Sequence, residues 1–310
     1  MALVHIRVLV GGLFLLFVSA MGLPAPGQEA KNNNTKSIDF KTADGVTIQG
    51  TFYPNPSGKR DAVVILLHDF DLKKGGKSQD EGWSDLALAL QKDGYAVLQF
   101  DFRGFGESKE IDPDLFWKQQ SSSMVRRRSA KVSTTIDHKD FMPRYIPYLV
   151  NDIAAAKAYL DRQNDQRNCN TSSVIVIGAG EGATLGALWM ANETRRRRDK
   201  NPVNPLIPQP PILGDPESRD LASGVWLTIS PRLGGVPVSG PLQKFIVEVG
   251  KENKIPQAFL FGKLDGQGDT FSRSLFKSIG SSQGSKKDAR LTGIMAIPDS
   301  KLTGHKLLGK

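Results

Sequence analysis

Val174-Ile175-Val176-Ile177-Gly178-Ala179-Gly180-Glu181-Gly182-Ala183 is the stretch on which the fold is decided. Four β-branched residues in a row suit a strand covered on both faces, and helical spacing takes over from Ala183 to Ala191. Between them the glycines leave room for a tight strand-to-helix turn.

The same alternation extends in both directions. Upstream lie a continuous apolar run from Ala62 to Leu67 and a helical pattern at Trp83, Leu86, Ala87 and Leu90 that stops at Asp93-Gly94. A strand from Ala96 to Phe100 and a helix from Ile153 to Leu160 follow. Downstream, strands are expected at Val225 to Ile229, Ala258 to Phe261 and Ile294 to Ile297. Near the start, Ile38, Phe40, Val46, Ile48 and Phe52 alternate with polar residues around Asp44-Gly45, the pattern of a β-hairpin. The reading is an α/β fold: a mainly parallel sheet with helices on both faces, opened by an N-terminal β-hairpin. Two stretches interrupt it, a polar and basic one at 109–145 and a proline-rich one at 201–216. Both stand where a cap over a site could be built.

The chain has 310 residues, 39% of them hydrophobic and 24% charged, enough to bury a sizeable core, which excludes a disordered tail. Its one cysteine, Cys169, excludes an internal disulfide and a thiolate metal site. Arg7 followed by the uncharged run Val8 to Val18, with small residues to Ala20, reads as a signal peptide over 1–20. Residues 21–36 then form a flexible linker and 37–310 the folded domain. The alternative is an uncleaved membrane anchor over 8–23, but the apolar stretch falls short of the ~20 residues that a spanning helix needs. Export, to a periplasm or the outside, argues against NAD or ATP, and no cofactor is expected.

The formal charge is +9, and much of it sits in Arg126-Arg127-Arg128 and Arg195 to Arg198, in segments that read as loops. Neither run has interleaved aromatics or a nucleic-acid module, which argues against a nucleic-acid partner. Solvated basic loops are the plain reading, and contact with an anionic envelope surface is the sharper one.

In an open α/β sheet the residues to read are those just past the strand ends. Here they are His68-Asp69, Asp101 to Ser108, Gly178 to Ala183, Gly262 to Asp265 and Gly304-His305. In that order they resemble the α/β-hydrolase superfamily, in its esterase and lysophospholipase-like branch. Leu66-Leu67-His68-Asp69-Phe70 is similar to the family's His-Gly oxyanion segment, and Asp101-Phe102-Arg103-Gly104-Phe105-Gly106-Glu107-Ser108 to its Asp-x-Arg-Gly-x-Gly-x-Ser loop. Gly178-Ala179-Gly180-Glu181-Gly182 resembles its nucleophile elbow.

The likeness implies Asp265 as triad acid and His305 as triad base. It also exposes two departures. The elbow tip, where the family carries serine, is Gly180, which has no side chain to attack a carbonyl. After His68, where the family usually has glycine, stands Asp69, whose carboxylate would repel charge developing in the oxyanion hole. The expectation is a ligand- or partner-binding pseudo-hydrolase without serine-hydrolase activity, whose ligand is a small or acyl-like molecule. The alternative is an active carboxylic-ester hydrolase with a non-standard nucleophile, Glu181 being the candidate substitute if the turn is shifted by one residue.

Plainer roles compete with these. Glu181 suits the first turn of a helix, where it favours the dipole, and His68 can pin its loop through backbone hydrogen bonds. His138 reads as solvent-exposed in the insertion. The glycines also fit a dinucleotide fingerprint, but the acidic residue expected about 20 positions later would fall in Arg195 to Lys200, where no strand exists. No metal-ligand spacing is present.

Overall fold

The computed structural model describes residues 35–55, 62–127, 133–198, 220–280 and 292–309, with side chains omitted at 196–198. The expected signal peptide, almost all of the linker, the 201–216 insertion and Arg128 lie outside the described residues.

The strands are β1 (Lys36–Lys41), β2 (Thr47–Tyr53), β3 (Ala62–Leu67), β4 (Ala96–Phe100), β5 (Asn170–Ala179), β6 (Leu221–Leu227), β7 (Arg232–Leu233), β8 (Val236–Pro237), β9 (Gln257–Gly262) and β10 (Thr292–Ile297). The longer helices are α1 (Trp83–Lys92), α2 (Val150–Asp165), α3 (Gly180–Arg198), α4 (Gly240–Lys251) and α5 (Gly266–Gly280). Eight strands form one sheet in the order β1-β2-β4-β3-β5-β6-β9-β10, and β7 and β8 make a small separate hairpin. β1 and β2 pair antiparallel, as do β2 and β4, while every other pairing in the large sheet is parallel.

The fold class read from the sequence is therefore the one observed. Asp44-Gly45 turns the first hairpin, with Gly45 at φ +84°, and Phe40 pairs with Ile48 across it. In the central strand Val174, Ile175, Val176 and Ile177 are all buried, because apolar residues cover both faces. Each fully buried side chain of this kind contributes about 1.5–3 kcal/mol. One face packs against Ile153 and Leu160 of α2, Leu185 and Leu188 of α3, Ile246 of α4 and Leu275 of α5. The other is covered by Trp83, Leu86 and Leu90 of α1 and by Leu307 and Leu308 near the chain end.

Three features differ from expectation. Arg195 to Arg198 close helix α3 instead of lying in a loop. Arg195 donates to Glu248 Oε2 at 2.6 Å and stacks 3.9 Å over Phe245, so the residue serves helix-to-helix packing. Helices α4 and α5 were not read, although Ile246 and Val249, and Phe271, Leu275 and Ile279, recur at helical spacing, and the β7–β8 hairpin was missed because each of its strands has only two residues. Finally, His138 is not solvent-exposed. Its ring stacks on Phe105 at 4.7 Å, 14° from parallel, and its side chain is only 11% exposed.

Candidate functional site

The chain runs outward from β3 to β4 on one side of the sheet and from β5 to β6 on the other, so the switch point lies between β3 and β5. Ligands of open α/β sheets bind in the crevice at such a point. Register does the rest: Leu67 pairs with Gly178 in parallel, so two residues further on Asp69 faces Gly180.

At that meeting the chain makes a sharp turn. Gly180, the first residue of helix α3, sits at φ +53° directly after the last strand residue, Ala179, so the positive-φ position is Gly180 and not Glu181. The flanking glycines are needed for closeness: a Cβ on Gly178 would lie 2.7 Å from Ala183 Cα, and one on Gly182 would run into the carbonyl oxygen of His68. The turn is thus seated directly on the β3 loop.

Asp69 fills the space above it. Its Oδ1 accepts from the backbone N–H of Phe70 at 2.9 Å and from that of Glu181 at 3.1 Å. In α/β-hydrolase enzymes the oxyanion hole is made by the N–H of the residue after the nucleophile and an N–H from the β3 loop. Here two backbone donors, one in the β3 loop and one in the first turn of α3, both point at a carboxylate of the chain itself. A Cβ built on Gly180 would overlap Oδ1 and Cγ of Asp69 and stand 2.5 Å from Oδ2. Burial pushes the Asp69 carboxyl above its ordinary pKa, against the opposing pull of the Glu181 N–H and the His305 imidazole.

Two surrounding loops hold this arrangement. His68 is fully buried, and its Nε2 accepts from Phe102 N–H at 3.1 Å, so its Nδ1 carries the proton and donates to Asp69 O at 2.8 Å. The ring pins the β3 loop to the loop after β4, the plain role expected for it. In that second loop Asp101 accepts from Ser78 N–H at 2.7 Å and from Glu107 N–H at 2.9 Å, and Ser108 Oγ accepts from Gln49 N–H at 2.8 Å. Arg103 is wholly buried, bonding Asp152 at 2.6 Å, Tyr145 at 3.0 Å and Asp44 of the hairpin turn. The Asp-x-Arg-Gly-x-Gly-x-Ser pattern is thus a structural clasp.

Glu181 follows the turn, and its carboxylate reaches the β7–β8 hairpin, where Gly234 N–H donates at 2.6 Å and Gly235 N–H at 3.4 Å. Burial raises its pKa to about 7, despite these N–H groups and with help from the charges of Asp69 and Asp71.

Asp265 stands three residues past β9 and His305 in a one-turn 3₁₀ helix, Gly304–Leu308. Both line one cavity of about 750 Å³ together with Asp69, Gly180 and Glu181. They do not bond each other. Asp265 Oδ1 accepts from Gly268 N–H at 3.2 Å, whereas Asp265 Oδ2 and His305 Nδ1 are buried without a partner.

Sequence reasoning missed three lining residues. Thr228 is 8% exposed, has a hydroxyl without a partner and adopts φ +50°, an outlier conformation for a β-branched side chain. His138 Nε2 is likewise buried and unpartnered. Thr228 was lost because β6 was expected to continue to Ile229 but ends at Leu227, whereas Ser230 stood just past that expected end and was open to the same reading. The Gly234-Gly235 pair was the available signal for the hairpin that grips Glu181.

Among the described residues no group of three or more His, Cys, Asp or Glu side chains could hold a metal ion, and no helix is long and apolar enough to cross a membrane.

No family model matches the chain. It is similar to the Escherichia coli K12 uncharacterized protein YfhR, at 30% identity over 100 residues, 31% of this chain and 34% of that protein. It is also similar to the polyketide transferase claH of Penicillium crustosum, at 31% identity over 77 residues, 24% and 23% of the two chains. The matches span about a third of the first relative's length and about a quarter of the second's. In structure it resembles the dienelactone hydrolase of Anabaena variabilis, with TM-score 0.52, 13% identity and 89% of each chain covered. A Pyrococcus furiosus esterase gives TM-score 0.50 at 16% identity, covering 86% of this chain and 85% of its own. The bacterial brefeldin A esterase gives 0.50 at 12%, covering 93% and 74%. The fold is that of the α/β hydrolases.

Proposed function

We propose that this is an exported α/β-hydrolase-fold protein that has given up ester hydrolysis by the serine route and binds a ligand or partner in the cavity at the switch point. One observation carries it: the Asp69 carboxylate accepts from both N–H groups that would stabilise a tetrahedral oxyanion, and it occupies the space that a nucleophile's Cβ would need at residue 180. A fixed negative charge there opposes the charge that must develop during acyl transfer.

Glu181 does not offer a ready substitute. Its oxygens accept from the backbone of Gly234 and Gly235, and the strained position of the turn is the residue before it. The reading is tested by incubating the purified protein with short-chain nitrophenyl esters and with a fluorophosphonate probe. Background hydrolysis and no covalent adduct are expected; turnover well above background refutes the loss of hydrolysis. Export rests on the leader read over 1–20, and N-terminal sequencing of protein recovered outside the cytoplasm should find a new terminus after Ala20.

A further inference from the structure

Filling the oxyanion position with a carboxylate changes what the cavity can hold. The two N–H donors that would greet a carbonyl or a carboxylate are already satisfied. What the floor offers instead is acceptor capacity. Asp69 Oδ2 makes no hydrogen bond among the described residues, and Asp265 Oδ2 is buried without a partner; Glu181 lines the same cavity, its oxygens already held by Gly234 and Gly235. A buried polar atom left unpaired destabilises the protein, and a bound donor removes that penalty. Thr228, nine-tenths buried with an unpartnered hydroxyl and a strained backbone, lines the same space, and such strain collects at ligand sites. The mouth is mixed but carries more cations than anions: Lys74, Lys77 and Lys306 are exposed where they line the cavity, beside exposed Asp71 and half-buried Asp80.

From this arrangement we infer that the cavity takes a small zwitterion, its ammonium innermost against Asp69 and Asp265 and its carboxylate or phosphate outermost between Lys77 and Lys306. A ligand of the reverse polarity would set its anion against Asp69 and its cation among lysines. Charge order along the cavity, with the deep end weakly screened by water, sets the orientation. The inference rests on the proposed loss of hydrolysis and names the ligand class of that same site.

Calorimetric titration of the full chain tests it with four probes: γ-aminobutyrate, ε-aminocaproate, butylamine and butyrate. The two amino acids should bind best, butylamine more weakly and butyrate not at all. Asp69→Asn, which keeps an oxygen for the two N–H groups but removes the charge, should weaken every amine at least tenfold. The double change of Lys77→Ala with Lys306→Ala should weaken the amino acids and leave butylamine unchanged. Butyrate binding as well as butylamine, no amine binding up to tens of millimolar, or amine binding untouched by Asp69→Asn each overturns the assignment. Ester turnover with Asp69-dependent amine binding would instead sink the loss of hydrolysis and leave the ligand class standing.

Discussion

Placing serine at residue 180 is the most direct test of how Asp69 and the turn fit together. The new Cβ would overlap the Asp69 carboxylate, so that group must leave the N–H groups of Phe70 and Glu181. Hydrogen bonds to a charged group are worth about 1.5–3 kcal/mol each, so two of them amount to about 3–6 kcal/mol. Serine held at φ +53° adds about 1–2 kcal/mol of backbone strain. Gly180→Ser alone should therefore cost about 4–8 kcal/mol, comparable with the whole stability of many domains. Asp69→Gly removes the overlap and forfeits the same hydrogen bonds only once. The double variant should be more stable than the sum of the two single effects predicts, by at least about 2 kcal/mol. Urea unfolding can be followed by the fluorescence of the buried Trp83, Trp189 and Trp226. Additivity within about 0.5 kcal/mol would refute the stated contact. Nitrophenyl-ester hydrolysis, if restored, should show only in the double variant, where both the hydroxyl and the emptied donor pair are present.

Further tests follow from the buried charges. Arg103→Met leaves Asp44 and Asp152 buried without their cation and should cost about 3–5 kcal/mol at neutral pH. The loss should shrink as the pH falls, because burial alone, without the lowering pull of Arg103, lets Asp152 take up a proton more readily still, and thermal melts at two pH values would show it. Glu181, raised from 4.5 to about 7, binds its proton more tightly when folded, so its contribution is full below pH 4.5 and is lost as the pH rises through 7. Glu181→Gln should abolish that decline, and an unchanged stability profile between about pH 5 and about pH 8 would contradict the burial. His68 is depressed below 6.5 by burial, so it weakens the fold as the pH falls below that value. Its replacement by alanine should cost about 1–3 kcal/mol through the unpaired Phe102 N–H and flatten the acid side of the curve.

Most of the sheet was legible because its parallel strands are fully buried and spelled as continuous apolar runs: Ala62 to Leu67 and Val174 to Ile177 could be little else. Asp44-Gly45 gave the hairpin for a local reason, the turn's need for positive φ. The α4 and α5 regions were not read, since Gly240-Pro241 and Gly266 to Gly268 at their starts look like loop residues when met in isolation. At the site, the positions of Gly180, Asp69, Asp265 and His305 at one cavity were foreseeable from strand-end order. That Asp69 would accept from Phe70 and Glu181 was not, because it depends on the pairing of Leu67 with Gly178 across about 110 residues. His138 was misjudged for the related reason that its partner, Phe105, lies in another loop.

The abutment of Asp69 on Gly180 also bears on how this sequence can change. Each residue is tolerable because of the other: an aspartate at 69 needs a bare α-carbon opposite, and a side chain at 180 needs that aspartate gone. Any single step toward a serine turn therefore passes through a poorly folded protein, and only a paired exchange avoids it. Such a contact acts as a ratchet, holding the two residues together as a pair and making either one slow to change alone.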